Sequence, residues 1–238
     1  MKILAISGSP RMEKRSSTLK LVKAVVENTG CEYDLVSLAG KNIQGCIGCM
    51  GCADDNICKL KDDFTPLRNK IVEADAYILG GCNFFSTLNA NMHCFLERWY
   101  QFRHQEKKEL WGKPAVTVSV GGRQTDVVAK ILEQFCMYNF IQVVDSAEGL
   151  GAPGCFYCGY GETCKVGAIH AQHGDGFKIT QDNTPCVSKD AACMEKACQA
   201  GKKLGKILKD GHDRNKATQE VREALMAMRL FKKPDEAL

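Results

Sequence analysis

The chain has no long hydrophobic run. No stretch reaches the roughly 18 consecutive apolar residues that a bilayer-spanning helix needs, so no transmembrane segment is expected. The opening run Ile3-Leu4-Ala5-Ile6 is too short for the core of a secretion signal, and no small-residue cleavage site follows it. Surplus charge is scarce as well. A formal charge of +4 over 238 residues, without a zinc-finger, RRM or helix-turn-helix pattern, argues against a nucleic-acid partner. Lys202, Lys203, Lys206 and Lys209 read as the wet face of a helix rather than a binding patch. Neither a Walker P-loop nor the G-x-G-x-x-G fingerprint is present. No side-chain acid or base stands out, so no catalytic side chain is assigned.

What the chain does have is cysteine, 14 in all. Such a number fits a disulfide-rich secreted protein or a metal protein in a reducing compartment. The N-terminal reading favours the second: a cytoplasmic protein with its thiols reduced. Cys46, Cys49, Cys52 and Cys58 form a C-x2-C-x2-C-x5-C run on a short, glycine-punctuated loop. Three cysteines at this close spacing follow the bacterial-ferredoxin pattern for a cluster. The fourth comes after five residues rather than three, and no proline follows it. Zinc is normally held by two separated C-x2-C knuckles. A cubane 4Fe–4S cluster is therefore the first expectation, ahead of zinc or an empty loop.

A second set echoes the first. Cys155, Cys158 and Cys164 read C-x2-C-x5-C, followed by Cys186, Cys193 and Cys198. The expectation is a second metal centre on Cys155, Cys158, Cys164 and one of Cys186 or Cys193, iron–sulfur or zinc, with a reduced cysteine-rich loop as the alternative. His170 and His173 are spare ligands or surface histidines. Cys31, Cys94 and Cys136 read as small core residues, and packing is the default for Cys82.

With 45% hydrophobic and 25% charged residues, the chain suits one large domain with appended elements. A continuous apolar run at 2–7 and strand-like segments at 33–38, 76–79, 115–120 and 140–144 alternate with helical patterns. Those patterns cover roughly 18–30, 62–73, 89–102, 125–138 and 189–209. This rhythm predicts an α/β fold, a doubly wound five-stranded parallel sheet. Residues 1–211 form the domain, with the first cysteine loop at 40–60 and a cysteine-rich insertion at 149–187 after strand five. A C-terminal helical extension occupies 212–238. Its helix is predicted from Asn215 to Leu230, packed on the domain or on a second subunit.

Ligands of open parallel sheets sit at the carboxyl ends of the strands. Three loops leave that edge. Ser7 to Thr18 offers hydroxyls, Arg11 and a helix start suited to a single phosphate, with a plain helix cap at Ser16 or Ser17 as the bland alternative. Cys82 to Thr87 brings aromatic and amide groups that can line a flat heterocycle or simply pack. Gly121-Gly122-Arg123-Gln124 allows close backbone approach or makes a tight turn.

The opening Ile-Ser-Gly-Ser-Pro-Arg, Ser16-Ser17-Thr18, the four-cysteine loop ahead of Lys61-Asp62-Asp63, and these loops resemble the iron–sulfur flavoprotein family. That family belongs to the flavodoxin-like NADPH-dependent FMN reductase superfamily. The resemblance covers residues 1 to about 148 and the last sheet helix. It implies FMN, with its phosphate at Ser9, Arg11, Ser16, Ser17 and Thr18. Asn83, Phe84, Ser86, Gly121, Gly122 and Arg123 would lie near the isoalloxazine. It also implies a 4Fe–4S cluster on Cys46, Cys49, Cys52 and Cys58, and a homo-oligomer of dimer or tetramer size. Electrons would pass from a ferredoxin-type donor through the cluster to FMN and on to a small acceptor, oxygen and peroxide among them. The alternatives are an NAD(P)H-dependent FMN or quinone reductase with structural cysteine loops, and a non-catalytic redox sensor. The 149–187 insertion departs from the family pattern.

Overall fold

A computed structural model describes residues 1–105 and 107–228. Its centre is a sheet of five parallel strands: β1 (Lys2–Ser7), β2 (Glu32–Ser37), β3 (Ala76–Phe84), β5 (Pro114–Gly121) and β6 (Gln142–Leu150). Their order is β2-β1-β3-β5-β6, and the two-residue β4 (Thr87–Leu88) adds antiparallel to the end of β3. The chain winds to one side of β1, then crosses to the other, so the switch point falls between β1 and β3.

The alternation within the strands decides which helices cover which face. Leu4, Ile6, Tyr77 and Leu79 face α2 (Leu67–Glu73), α3 (Ala90–Glu97) and α4 (Asp126–Tyr138). Trp99 anchors that core, with edge-on contacts to Tyr77, Phe95, Phe102 and Phe135. Ile3, Ala5, Ile78, Val116 and Val118 face α1 (Ser17–Glu27) and α6 (Ala191–Lys209). Gly201 and Gly205 let α6 meet α1 closely; a Cβ at either would strike the carbonyl of Val25 or Thr29.

Several boundaries differ from the sequence expectation. Gly80 and Gly81 do not stop the third strand; β3 continues to Phe84. They are glycines because Val22 of α1 and Leu88 of β4 occupy the space of their side chains. The helix expected from Asp62 begins at Leu67, after a run of turns. The helix expected over 89–102 is α-helical to Glu97 and then tightens to a 3-10 segment, Arg98–Arg103. β6 runs six residues past Val144, so the insertion starts at the sheet edge itself. Within it lie the short α5 (Ala168–His173) and a small core of Ala152, Phe156 and Ile169. The final helix, α7 (Arg214–Ala227), packs on α4 and β6 of its own domain, and Leu230 lies outside the described residues.

Candidate functional site

A cleft with an empty volume of about 770 Å³ opens at the carboxyl ends of β1, β3, β5 and β6. Ser9, Arg11, Ser17 and Thr18 line one end of it. Ser16 does not; its buried hydroxyl accepts from Leu19 N–H at 3.1 Å and serves as the N-cap of α1. The cap starts α1 at the cleft end, where the first-turn amides of Ser17 and Thr18 have no intrahelical acceptor. Arg11 donates from NH1 to Ala152 O at 2.7 Å, and its guanidinium lies 5.0 Å from the Tyr157 ring centre. Arg15 lies 5.2 Å from the same ring.

The middle of the cleft is flat-sided and mostly apolar. Phe84, Val120, Gly121 and Gly122 line it together with Asn83, whose amide donates to Gln124 O at 2.8 Å. Gly121 admits no side chain, because a Cβ would strike that same carbonyl. Ser86 lies off the lining and faces Gln124 Oε1 at 3.4 Å. Arg123 turns away too: with the Gln172 amide oxygen toward it, its Nε donates at 2.9 Å to the insertion. Phe85 and Ser86, both at positive φ (51° and 58°), make the two-residue turn into β4. That turn leaves Phe85 on the rim, fully exposed. Cys82 also reaches the cleft, but burial pushes its thiol up to about 12, so it stays protonated. The residues that sequence reasoning missed are Gly151, Ala152, Pro153 and Gly154, which form a wall from the start of the insertion. Their glycine-proline composition was the available signal.

The first cysteine loop leaves the same edge, after β2. The segment Ala90–Arg103 clamps it from below. Glu97 Oε2 accepts from Cys46 N–H at 3.0 Å and Gln101 Oε1 from Cys58 N–H at 3.0 Å. His104 Nε2 stands 3.3 Å from Cys52 Sγ, and Asn56 exchanges two hydrogen bonds with the His104 backbone. The buried Arg98 joins both ends of the loop: it donates to Gln44 O at 3.1 Å, to Leu60 O at 3.4 Å and to Asp62 Oδ2. Burial works against the Arg98 charge, but Asp62 and the neighbouring Cys58 thiol hold its pKa above the ordinary value. Arg98 Nε is buried with no hydrogen-bond partner among the described residues. Burial first, then the like charges of Cys58, Cys46 and Cys49, push the Cys52 thiol up. An orphaned donor thus belongs to the arginine that holds both flanks of the cysteine loop. A free N–H donor beside a loop of four cysteines suits a sulfur-ligated centre, whose sulfurs accept hydrogen bonds.

The second set behaves differently. Cys155 and Cys164 both border Gly167, and Cys158 Sγ donates to Cys155 O at 3.5 Å, whereas Cys186 and Cys193 contact other groups. Cys186 Sγ lies 3.3 Å from Lys20 Nζ, 3.1 Å from Ser188 Oγ and 3.8 Å from Ser17 Oγ. Burial opposes its ionisation, yet the bonds from Ser188, Lys20 and Ser17 bring the thiol down to about 7. Cys193 Sγ donates to Glu148 O at 3.2 Å within the α1–α6 core. The structure thus holds Cys186 against the start of α1 and Cys193 against the end of β6, each in contact with groups other than the three cysteines. Among the described residues, no three His, Cys, Asp or Glu side chains are already drawn onto one point as a metal ion would hold them. Cys136 and Cys94 pack beside the aromatic core or its loop, and burial pushes the Cys136 thiol well up.

The sequence model of the NADPH-dependent FMN reductase family matches residues 1–151, ending where the insertion begins. An iron–sulfur flavoprotein of Methanocaldococcus jannaschii is 33% identical over 150 residues, 61% of this chain and 77% of the relative. An iron–sulfur flavoprotein of Archaeoglobus fulgidus is 32% identical over 126 residues; the matched stretch is 51% of this chain and 56% of that relative. Among solved structures, RosB with a bound 8-demethyl-8-formylriboflavin-5'-phosphate intermediate superposes with a TM-score of 0.61 at 16% identity, covering 98% of this chain and 88% of that one. The azoreductase AzrA superposes with a TM-score of 0.55 at 13% identity, covering 85% and 100%. These two likenesses concern the fold. The matched first 151 residues carry β1 to β6, the cleft and the four-cysteine loop, and on them the chain belongs to the NADPH-dependent FMN reductase family, as an iron–sulfur flavoprotein and flavin-dependent oxidoreductase.

Proposed function

We propose that the chain passes electrons from a ferredoxin-type donor, through a 4Fe–4S cluster on Cys46, Cys49, Cys52 and Cys58, to FMN in the cleft and on to a small acceptor. The observation that carries this reading is that the four-cysteine loop and the cleft leave the same edge of one sheet. FMN, when bound, couples one-electron donors to two-electron acceptors. Ser9, Arg11, Ser17, Thr18 and the first amides of α1 hold its phosphate, with Ser16 acting through the cap. Asn83, Phe84, Gly121 and Gly122 bound the ring, and Ser86 and Arg123 support those loops from outside. Arg98, Gln101, Glu97 and His104 hold the cysteine loop and its sulfurs in place. The buried Cys82 thiol, pushed up to about 12, stays out of the chemistry.

A groove beside Cys46 is lined by Met50, Leu96, Tyr100, Phe135 and Tyr138. Ile47, Met50 and Tyr100 are exposed around it. A second copy of the chain is the occupant this reading gives it, as in a dimer or tetramer. A reading with NAD(P)H as donor rests on the description of the family and gives the cysteine loop a structural part only.

The test is anaerobic purification with flavin, iron and sulfide measured per chain. About one FMN and about four irons are expected. Reduction of the flavin by a reduced ferredoxin should disappear in Cys46→Ser. FMN without iron, or unimpaired NADPH-driven flavin reduction in Cys46→Ser, would replace the cluster route with a simple reductase.

A further inference from the structure

The insertion lies beyond the family match, yet it walls the cleft through Ala152, Pro153 and Gly154. Its own core amounts to Ala152, Phe156 and Ile169, with Phe177 and Ile179 packed against them. A unit this small does not hold its shape on apolar burial alone and ordinarily carries a covalent or metal staple.

The three cysteines of this unit are arranged for one. Gly159, at φ 83°, turns the chain after Cys155-x2-Cys158 so that Tyr160 N–H donates to Cys158 Sγ at 3.4 Å. Ala168 N–H, at the start of the next helical turn, donates to Cys155 Sγ at 3.3 Å. Between the two segments sits Gly167. A Cβ there would come within 3.3 Å of Cys164 Sγ and 3.5 Å of Cys155 Sγ, so both sulfurs crowd one residue that has no side chain. As in the Cys46 loop, the sulfurs are grouped without being closed on one point. A cubane needs four thiolates, and Cys186 and Cys193 are engaged elsewhere. Three thiolates plus one nitrogen is a tetrahedral zinc set. His173 stacks on Phe177, ring centres 4.1 Å apart. His170, two residues past Ala168 on α5, holds its Nδ1 3.1 Å from Asp175 Oδ1, the outer carboxylate pairing that zinc-bound histidines commonly have.

We propose that Cys155, Cys158, Cys164 and His170 bind a single zinc ion that staples residues 153–179 into the wall of the cleft. Binding releases the thiol protons and involves no change of oxidation state. The ion has no redox part; it fixes the segment whose Ala152 carbonyl and Gln172 side-chain amide accept from Arg11 and Arg123.

The experiment measures zinc, iron and flavin in the same samples of the anaerobically purified chain. About one zinc per chain is expected. The Cys158→Ser, Cys164→Ser variant should lose the zinc and keep its iron. Cys46→Ser should lose iron and keep its zinc, so failure here and failure of the cluster assignment are told apart. Asp175→Asn should weaken zinc binding about 10–100-fold. Zinc unchanged in the double variant, or iron lost in place of zinc, overturns the proposal. If the double variant does not fold, cobalt(II) added to the zinc-free wild-type chain replaces it. A thiolate-to-cobalt charge-transfer band with intense tetrahedral d–d bands supports the site, and their absence overturns it.

Discussion

Replacing Arg98 by methionine is expected to release the four-cysteine loop while leaving the sheet and the cleft intact. Arg98 is 1% exposed and packs its guanidinium 4.9 Å from the Phe64 ring centre. It pairs with Asp62 and donates to Gln44 O and Leu60 O, one on each flank of Cys46–Cys58. Methionine fills most of the volume but strands the Asp62 carboxylate, which is itself 2% exposed. Breaking one side of a buried pair costs about 3–5 kcal/mol. For a chain of this size that lowers Tm by about 6–20 °C. Calorimetry of the anaerobic protein, with iron and flavin content, is the assay; iron should fall and FMN should stay. Asp62 also sets an acid limb. Burial works to raise its pKa, but Arg98 and the N–H groups of Gln44 and Phe64 hold it below the usual value. Its stabilisation is complete above about pH 4, where the unfolded carboxyl ionises, and is lost as pH falls through the lowered folded value. Asp62→Asn should therefore flatten the stability profile below about pH 4. Replacing both partners, Arg98→Met with Asp62→Leu, should recover part of the loss. A Tm within about 2 °C of wild type and unchanged iron in Arg98→Met would refute the reasoning.

Gly151→Val should close the flavin cleft, since even a Cβ at this position lies 3.0 Å from Val120 and 3.1 Å from Ser17. FMN affinity measured by fluorescence quenching is expected to fall at least about tenfold, roughly 1.4 kcal/mol, with helix content retained. Cys186 should be alkylated with a midpoint near pH 7, the rate rising with pH as the thiolate forms, followed by peptide mass spectrometry. In Lys20→Met the midpoint should move upward, and an unmoved midpoint would remove the Lys20 contact at 3.3 Å from the explanation. Ser16→Ala removes the α1 cap and should cost about 1 kcal/mol in urea unfolding. It should also weaken FMN binding less than Ser17→Ala or Thr18→Ala does, because Ser16 lies outside the cleft lining.

Local pattern was enough to predict the sheet and to single out the first cysteine loop. A continuous apolar run such as Ile3–Ile6 reads as a strand buried on both faces, and the four-cysteine spacing marks out a ligand set to expect. Hydroxyls and glycines at the strand ends named the loops of the cleft for the same reason: their backbone demands are local. What the tertiary structure decided depends on neighbours distant in sequence. Gly80 and Gly81 read as a stop, but the closeness of Val22 and Leu88 makes them part of a strand. Ser16 and Ser17 look equivalent in the sequence, yet one turns inward as a cap and the other faces the cleft. Arg123 finds Gln172, 49 positions away, and leaves the ligand edge. Arg98 carries no motif at all, and only the packing of Ala90–Arg103 under residues 44–62 makes it the clasp of the cysteine loop. Spacing alone grouped Cys186 with Cys155, Cys158 and Cys164. The fold places its sulfur against Lys20 of α1, at the N-cap of the 3-10 segment that leads into α6.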